Sequence, residues 1–532
     1  MARATLKQEG AHESMTSEGP QIKAMQAPGP MATVTGVQLM QGLGVQPAKG
    51  FWADAWDHVA KRGGARFAIV WLGIVLFFAL FSPIIANGHP ILYRVKMPTG
   101  EWGGWTSPIL ENMSSVDVLL LLIGFAGGAW MVLSKRLSRS ERLGVLIGFL
   151  LACGAGLIAG SFVLRFIADM GGTKREMIES RPLMWGRLTL NAARPLVMLG
   201  VALIPAIVLG LVLPFRRKGK FLGAVLAAVV IVLLGSVWWR KPLQTFPYQA
   251  AVESRRAEAV FTLVPFSPNQ RSISADLLPP LTSSDMTQAS LDELNSGRAV
   301  RTPGRSVYWL GTDSFGQDVV SQLMHACRVA ISLGLVSTGI AVAIGVTIGA
   351  LMGYFGGWVD MVLLRVVEAF MAMPVLFLLI IAAAVLPRNL YVTMALIGCV
   401  TWTGAARFIR AEFMRLRHQD FVQAAQALGL PLRSILFKHM LPNGVTPVLV
   451  DASFGIAVAI SAEVTLSFLG LGPEEQSSWG RLLTDTTNNV GAFMWWLGVF
   501  PGAAIFLTVL SYNLMGEALR DAIDPKLKKA RV

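Results

Sequence analysis

The sequence predicts an all-α polytopic membrane protein with about ten transmembrane helices. Three observations carry that prediction. Of 532 residues, 54% are hydrophobic and only 15% charged, and the mean hydropathy is +0.56, a balance outside the range of ordinary soluble domains. Ten apolar runs approach the roughly 20 residues that a bilayer core of about 30 Å requires. Basic residues gather at the ends of these runs, so the net charge of +14 reads as the asymmetry that fixes topology, and no nucleic-acid partner is expected.

Residues 1–50 are rich in Gly, Pro, Gln, Met and Ala without helical or strand period, and predict a disordered cytoplasmic tail. Over 51–66, Phe51, Trp52, Trp56 and Val59 share one helical face beside a basic end, which suits an interfacial amphipathic helix. The first span is Phe67–Ala86, and 87–117 is polar enough for an extracytoplasmic loop. Four further runs, Val118–Leu133, Leu143–Leu164, Pro195–Leu213 and Phe221–Trp238, make a four-helix membrane insert. Its basic linkers, around Lys135–Arg142 and Arg216–Lys220, belong in the cytoplasm. The polar segment 239–326, broken at Pro279, Pro280 and Pro303, is expected as an irregular extracytoplasmic loop, with a small folded domain as the alternative. Five spans follow: Val329–Gly353, Met361–Leu386, Tyr391–Phe408, Thr446–Leu469 and Trp496–Gly516. Arg407, Arg410, Arg415 and Arg417, with the basic tail 521–532, put the stretch after the eighth span and both termini in the cytoplasm.

Several chemistries are not expected. Cys153, Cys327 and Cys399 lie in or beside apolar runs and form neither a disulfide framework nor a metal motif. The sequence has no HExxH and no GxxxxGK[ST], so no metal or cofactor and no nucleotide in a Walker-type site is expected on this chain. Nothing before Phe67 resembles a cleavable signal peptide.

Three features suggest where the work is done. Asp420–Asn443 is a short, mixed island between long apolar runs. Phe421, Ala425 and Leu428 recur at helical spacing with Gln423 and Gln426 turned away; Gly429 suits a helix end, Pro431 a helix start, and Pro442 a stop. An amphipathic loop on the membrane surface would also explain it. Gly345, Gly349 and Gly353 form a small-residue ridge for close helix approach, within this chain or against a partner. Glu368, Asp451 and Glu463 lie in or near apolar runs, where a charge faces a polar cavity or a partner. Glu368 and Glu463 are therefore candidate pathway residues.

The order of motifs resembles one family. Ala424 and Ala425, then Gly429, Leu441 and Pro442, resemble the cytoplasmic "EAA" loop of ATP-binding-cassette (ABC) importer permeases, with Gln423 at the loop's acidic position. Leu310, Gly311, Thr312, Asp313, Gly316 and Asp318 resemble the LGTDxxGRD segment of dipeptide, oligopeptide and nickel importer permeases, with Gln317 and Gln322 at two basic positions. Gly353–Asp360, Leu466–Gly472, Ser478–Gly480 and Leu519–Pro525 fall in the family's order. The resemblance implies a permease core over 327–520, completed by the first span, in a bacterial inner membrane. It implies a subunit importing peptides, nickel or another small solute, coupled through 420–443 to separate ATP-binding subunits. A second homologous permease, an extracytoplasmic solute-binding protein and surrounding lipid are the implied partners; the insert departs from the family's six-span pattern. The competing class, an ion-coupled secondary transporter, would show two halves with matching broken helices, and the first five spans do not echo the last five. A membrane-anchored scaffold would leave the docking-type loop unexplained.

Overall fold

The computed structural model describes Trp56 and residues 59–98, 100–113, 115–122, 124–125, 248–253, 257–272, 275–283, 306–473, 476–488 and 494–523. In chain order these hold α1 (Gly63–Ile85), β1 (Leu92–Val95), α2 (Pro108–Asn112), α3 (Ser115–Leu122), α4 (Tyr248–Glu253), β2 (Ala257–Val260), β3 (Thr282–Ser283) and β4 (Val307–Tyr308). The core follows: α5 (Val319–Phe355), α6 (Gly357–Ala372), α7 (Val375–Val385), α8 (Leu390–Thr401), α9 (Thr403–Leu416) and α10 (Asp420–Ala427). Then come α11 (Leu432–Ser434), a π-helical turn (Ile435–Met440), α12 (Leu441–Gly444), α13 (Thr446–Phe468), α14 (Trp479–Asn488) and α15 (Trp495–Ile523).

Four of these helices, α1, α5, α13 and α15, are long and apolar enough to cross a membrane, or up to six if each of two bent pairs is one span. Most of the expected insert, with the tails, lies outside the described residues. Two runs that read as single spans are broken. Met361–Leu386 divides into α6 and α7, bent by 82°. Pro374, which has no N–H to give to the preceding turn, stands at the start of α7. Tyr391–Phe408 divides into α8 and α9, bent by 43° at Trp402.

α5 is the centre of the core and begins ten residues before the run expected at Val329. The Asp318 side chain caps it, accepting from the Ser321 N–H at 2.7 Å. Residues 319–326, read as loop from their polarity, are therefore helix. Gly345, Gly349 and Gly353 pack within the chain, against α9. A Cβ on Gly349 would lie 2.4 Å from the Ala406 carbonyl oxygen, and one on Gly353 2.5 Å from the Phe413 Cβ. Only glycine lets these backbones meet so closely. α1 closes on the far end of the chain: the Trp71 indole N–H donates to Thr508 Oγ1 at 3.0 Å, and Arg62 pairs with Asp521.

The two loops expected around the insert pair with each other. β1 and β2 run antiparallel with Arg94 opposite Glu258, β3 pairs with β4, and Ala86, Val264, Phe266, Leu278 and Tyr308 share one small core. Among the described residues, these strands and this core make a small lobe that takes in part of 239–326. The Tyr248 ring meets Tyr93 edge-on, so the described chain beyond the expected insert packs on this lobe. At the outgoing end Asp117 on α3 receives a 2.6 Å bond from Arg328 on α5. Excising 118–238 keeps both flanks and removes an even number of expected spans. A cysteine-accessibility map of the last five spans is expected to be unchanged by that deletion; a C-terminus that changes sides would overturn the even count.

Candidate functional site

At the C-terminal end of α5, the stretch Asp420–Asn443 folds as two short helical pieces around a turn, as its Gly and Pro positions suggest. α10 ends at Gly429, whose φ is +67°, a left-handed conformation without cost for glycine. The Gly429 and Leu430 N–H groups donate to Gln426 and Ala425 carbonyls at 2.9 and 3.2 Å, which satisfies the helix end. Pro431 precedes α11. Pro442 does not stop the chain: the π-turn shifts the hydrogen-bond phase, so Pro442 falls in the first turn of α12, where its missing N–H costs nothing.

Tertiary packing decides which face is buried. Val422 and Ala425, with Ile435, Leu436 and Met440, pack against Val346 and Ala350 of α5 and Ile409, Phe413 and Leu416 of α9. Phe421 and Leu428 point outward, and Leu428 is 79% exposed. Gln423, Ala424 and Gly429 are exposed beside them, whereas Ala425 is turned into the core. Leu441 is half-buried against the same core, and Pro442 is exposed. The Gln423 side-chain amide donates to the His418 carbonyl at 3.4 Å, and that of Gln426 to the Tyr354 hydroxyl at 3.2 Å. Arg410 on α9 holds Asp360 on α6 (Nη2 to Oδ2, 2.7 Å) and braces the helices beneath the loop. The loop is thus a rigid base with an apolar and small-residue outer surface.

At the opposite end of α5, the segment Gly311–Asp318 is a clamp. Thr312 Oγ1 donates to the Ala275 carbonyl (2.6 Å) and accepts from the Leu278 N–H (2.8 Å), while the Trp496 indole N–H donates to the Thr312 carbonyl (3.1 Å). Asp313 Oδ1 accepts from the Phe315 and Gln317 N–H groups at 2.9 and 2.8 Å, and Oδ2 from the Gln322 side-chain amide at 2.6 Å. Gly311 and Gly316 both have positive φ. The clamp ties the lobe to α5 and α15. Gln322 is therefore a working member of the motif, and Trp496 joins it from 184 residues away, a contact no local pattern announces.

Burial pushes the Asp318 carboxyl up to about 7, and burial with Asp313 nearby pushes Asp485 up to about 6. Asp318 Oδ1 is buried without a hydrogen bond among the described residues. A carboxyl that holds its proton more tightly when folded stabilises the fold at low pH, and that contribution is lost as pH rises from 3.8 through about 7. The melting temperature of the purified chain is expected to be higher at about pH 5 than at about pH 8. Asp318→Asn, which keeps the cap, should shrink that difference; an unchanged difference would discount the carboxyl.

The two candidate pathway residues sit in unlike places. Glu368 is half-exposed on α6 and pairs with Arg365 at 2.6 Å. Glu463 is buried where α13 meets α14 and accepts from Ser467 Oγ at 2.6 Å. Nothing in the structure brings the two together.

This bent-helix core of apolar helices carries a braced loop at one end and a clamp at the other. Residues 345–529 match the family model of binding-protein-dependent transport system inner membrane components. The dipeptide transport system permease protein of Alkalihalophilus pseudofirmus is 34% identical over 244 residues, 46% of this chain and 80% of that protein. The oligopeptide transport system permease protein of Haemophilus influenzae is 37% identical over 41% of this chain and 70% of its own. The peptidoglycan transport system permease protein of Agrobacterium fabrum is 39% identical over 41% and 57%. A crystal structure of an amino acid ABC transporter aligns over 40% of this chain and 95% of its own at 14% identity, with a TM-score of 0.30 that is too low to bear on the assignment. The chain belongs to the inner-membrane permease components of binding-protein-dependent ABC importers. It is a multi-pass membrane protein and a transport component, not an enzyme, and its family works with ATP-binding subunits and a partner permease.

Proposed function

We propose that this permease carries peptides, and that its exposed loop at 420–443 is where an ATP-binding subunit docks. The substrate class rests on the relatives, whose names specify dipeptides, oligopeptides and peptidoglycan. The docking role rests on one observation: Leu428, Phe421, Ala424 and Gly429 form an exposed surface on a base held by a buried core. Such a surface transmits force, because the base cannot yield without disturbing α5 and α9. Gln423 replaces the acidic group, so contact there relies on shape and on neutral hydrogen bonds.

The basic residues near the loop put it and both termini in the cytoplasm. The lobe then faces outward, where a solute-binding protein delivers peptide, and lipid surrounds the apolar helices. A second permease completes the pathway, with Glu368 and Glu463 as its candidate carboxylates. Ion-coupled transport is not favoured, because no inverted or parallel repeat relates the halves. A tagged chain extracted in mild detergent is expected to bring down an ATPase, and peptide uptake to stop on ATP depletion. Uptake that survives depletion, with no ATPase recovered, would overturn the assignment.

A further inference from the structure

The 82° bend between α6 and α7 leaves main-chain groups open. Pro374 has no N–H to give. The carbonyls of Phe370, Met371, Ala372 and Met373 accept no main-chain hydrogen bond among the described residues, and the N–H groups of Val375 and Leu376 donate none. Bonding resumes only at Phe377 and Leu378, which both donate to the Pro374 carbonyl. Every residue from Met371 through Phe377 is exposed. Val367 of α6 clusters with Met352 and Trp402, and Leu379 of α7 with Leu333. The open turn between them is therefore level with the middle of α5.

The helix face that leads into this turn is charged. Met361, Arg365, Glu368 and Ala372 recur at helical spacing and are all exposed, opposite the face on which Leu363, Leu364, Val367 and Phe370 pack. The paired side chains of Arg365 and Glu368 are 77% and 49% exposed. By contrast, Val70 on α1, Leu335 on α5 and Phe506 on α15 are exposed and apolar, as a lipid-facing surface requires. Lipid cannot cover the α6 face. Open main-chain groups in hydrocarbon are costly, and irregular backbone at such depth lies against protein or lines a water-filled cavity. Charged side chains within spans follow the same rule. A protein cover would have to bring a matched partner to each open group, whereas water needs no matching.

We infer that Arg365, Glu368 and the open turn from Phe370 to Leu376 line the water-filled translocation pathway, and that a passing peptide bonds to this turn through its own main chain. Main-chain bonds do not read side chains, so they suit a carrier that must accept many sequences. The choice of a peptide as occupant rests on the substrate class proposed above, whereas the aqueous face does not.

The test uses the full chain, assembled with its partner permease and ATP-binding subunits in lipid membranes, with Cys153, Cys327 and Cys399 replaced by serine. Ala372→Cys and Leu376→Cys each add one cysteine at the turn, and Phe506→Cys gives the lipid-facing reference. A charged, water-soluble methanethiosulfonate, which does not enter hydrocarbon, should label both turn positions about tenfold or more faster than the reference. Tetra-alanine, supplied with ATP at its half-saturating concentration, should slow both reactions about twofold. Labelling at both turn positions no faster than at the reference would overturn the inference, whether lipid or a second permease covers the turn. Import of tetra-alanine without slowing at either cysteine would also overturn it, because the peptide then passes elsewhere. Fast labelling in a complex that imports no peptide would sink the substrate class and leave the aqueous face standing.

Discussion

Gly429→Arg is expected to cut ATP-driven uptake by about tenfold or more while the chain stays in the membrane at its normal level. The glycine sits at φ +67° with nothing within 4 Å of where a Cβ would stand. The base of the side chain therefore stands in open space, and the backbone strain of about 1–2 kcal/mol is tolerable in an exposed turn. What the arginine does meet is whatever approaches Ala424 and Leu428, and it brings bulk and charge to an apolar contact. Gly429→Asn separates the two effects, since asparagine enters the left-handed region most readily after glycine. The asparagine variant should keep most of its transport and still bring down the ATPase; the arginine variant should lose both. Normal uptake with arginine would remove the docking role from this loop.

The second large effect is expected at Gly316→Ala. A Cβ there would lie 1.9 Å from the Ser272 carbonyl oxygen, at φ +67°. Backbone must move, and the clamp that joins the lobe to α5 must open. A loss of roughly 3–5 kcal/mol is expected, in the range of the most damaging single substitutions, read as a large fall in melting temperature and as faster hydrogen exchange over 306–318. Gly470→Ala is the control, because Gly470 has φ +73° but open space around it. It should cost only the strain, about 1–2 kcal/mol. Equal losses at the two positions would mean that the close approach to Ser272 is unimportant.

The spans of the core were legible because hydropathy over about 20 residues is a strong signal. Direction was not. A window average over Met361–Leu386 cannot register that Pro374 turns the chain by 82°. The first turns of α5 were hidden for the opposite reason, since their polarity resembles a loop and only the Asp318 cap marks them as helix. The strand pairing of the lobe could not be foreseen: its strands are two to four residues long, and Arg94 finds Glu258 across 164 residues. In the docking loop, Gly429 and Pro431 fixed the breaks because each acts on the backbone locally. Spacing left the buried face open because α10 carries two apolar stripes, and only α5 and α9 decide that Val422 rather than Phe421 is inside. The glycine ridge announced a close approach, but its partner α9 was set by the tertiary fold.

The bond from Trp71 to Thr508 has a consequence for assembly. Its partners are 437 residues apart, so at typical bacterial synthesis rates of about 5–20 residues per second α1 waits on the order of 20–90 s for α15. Throughout that interval its packing face of small residues, Ala65, Ala68 and Ala79, can be shielded only by lipid, by helices made earlier, or by an insertion factor. The first span is thus inserted first and completed last. A stalled chain lacking α15 should present α1 to proteases or crosslinkers that never reach it in the finished protein.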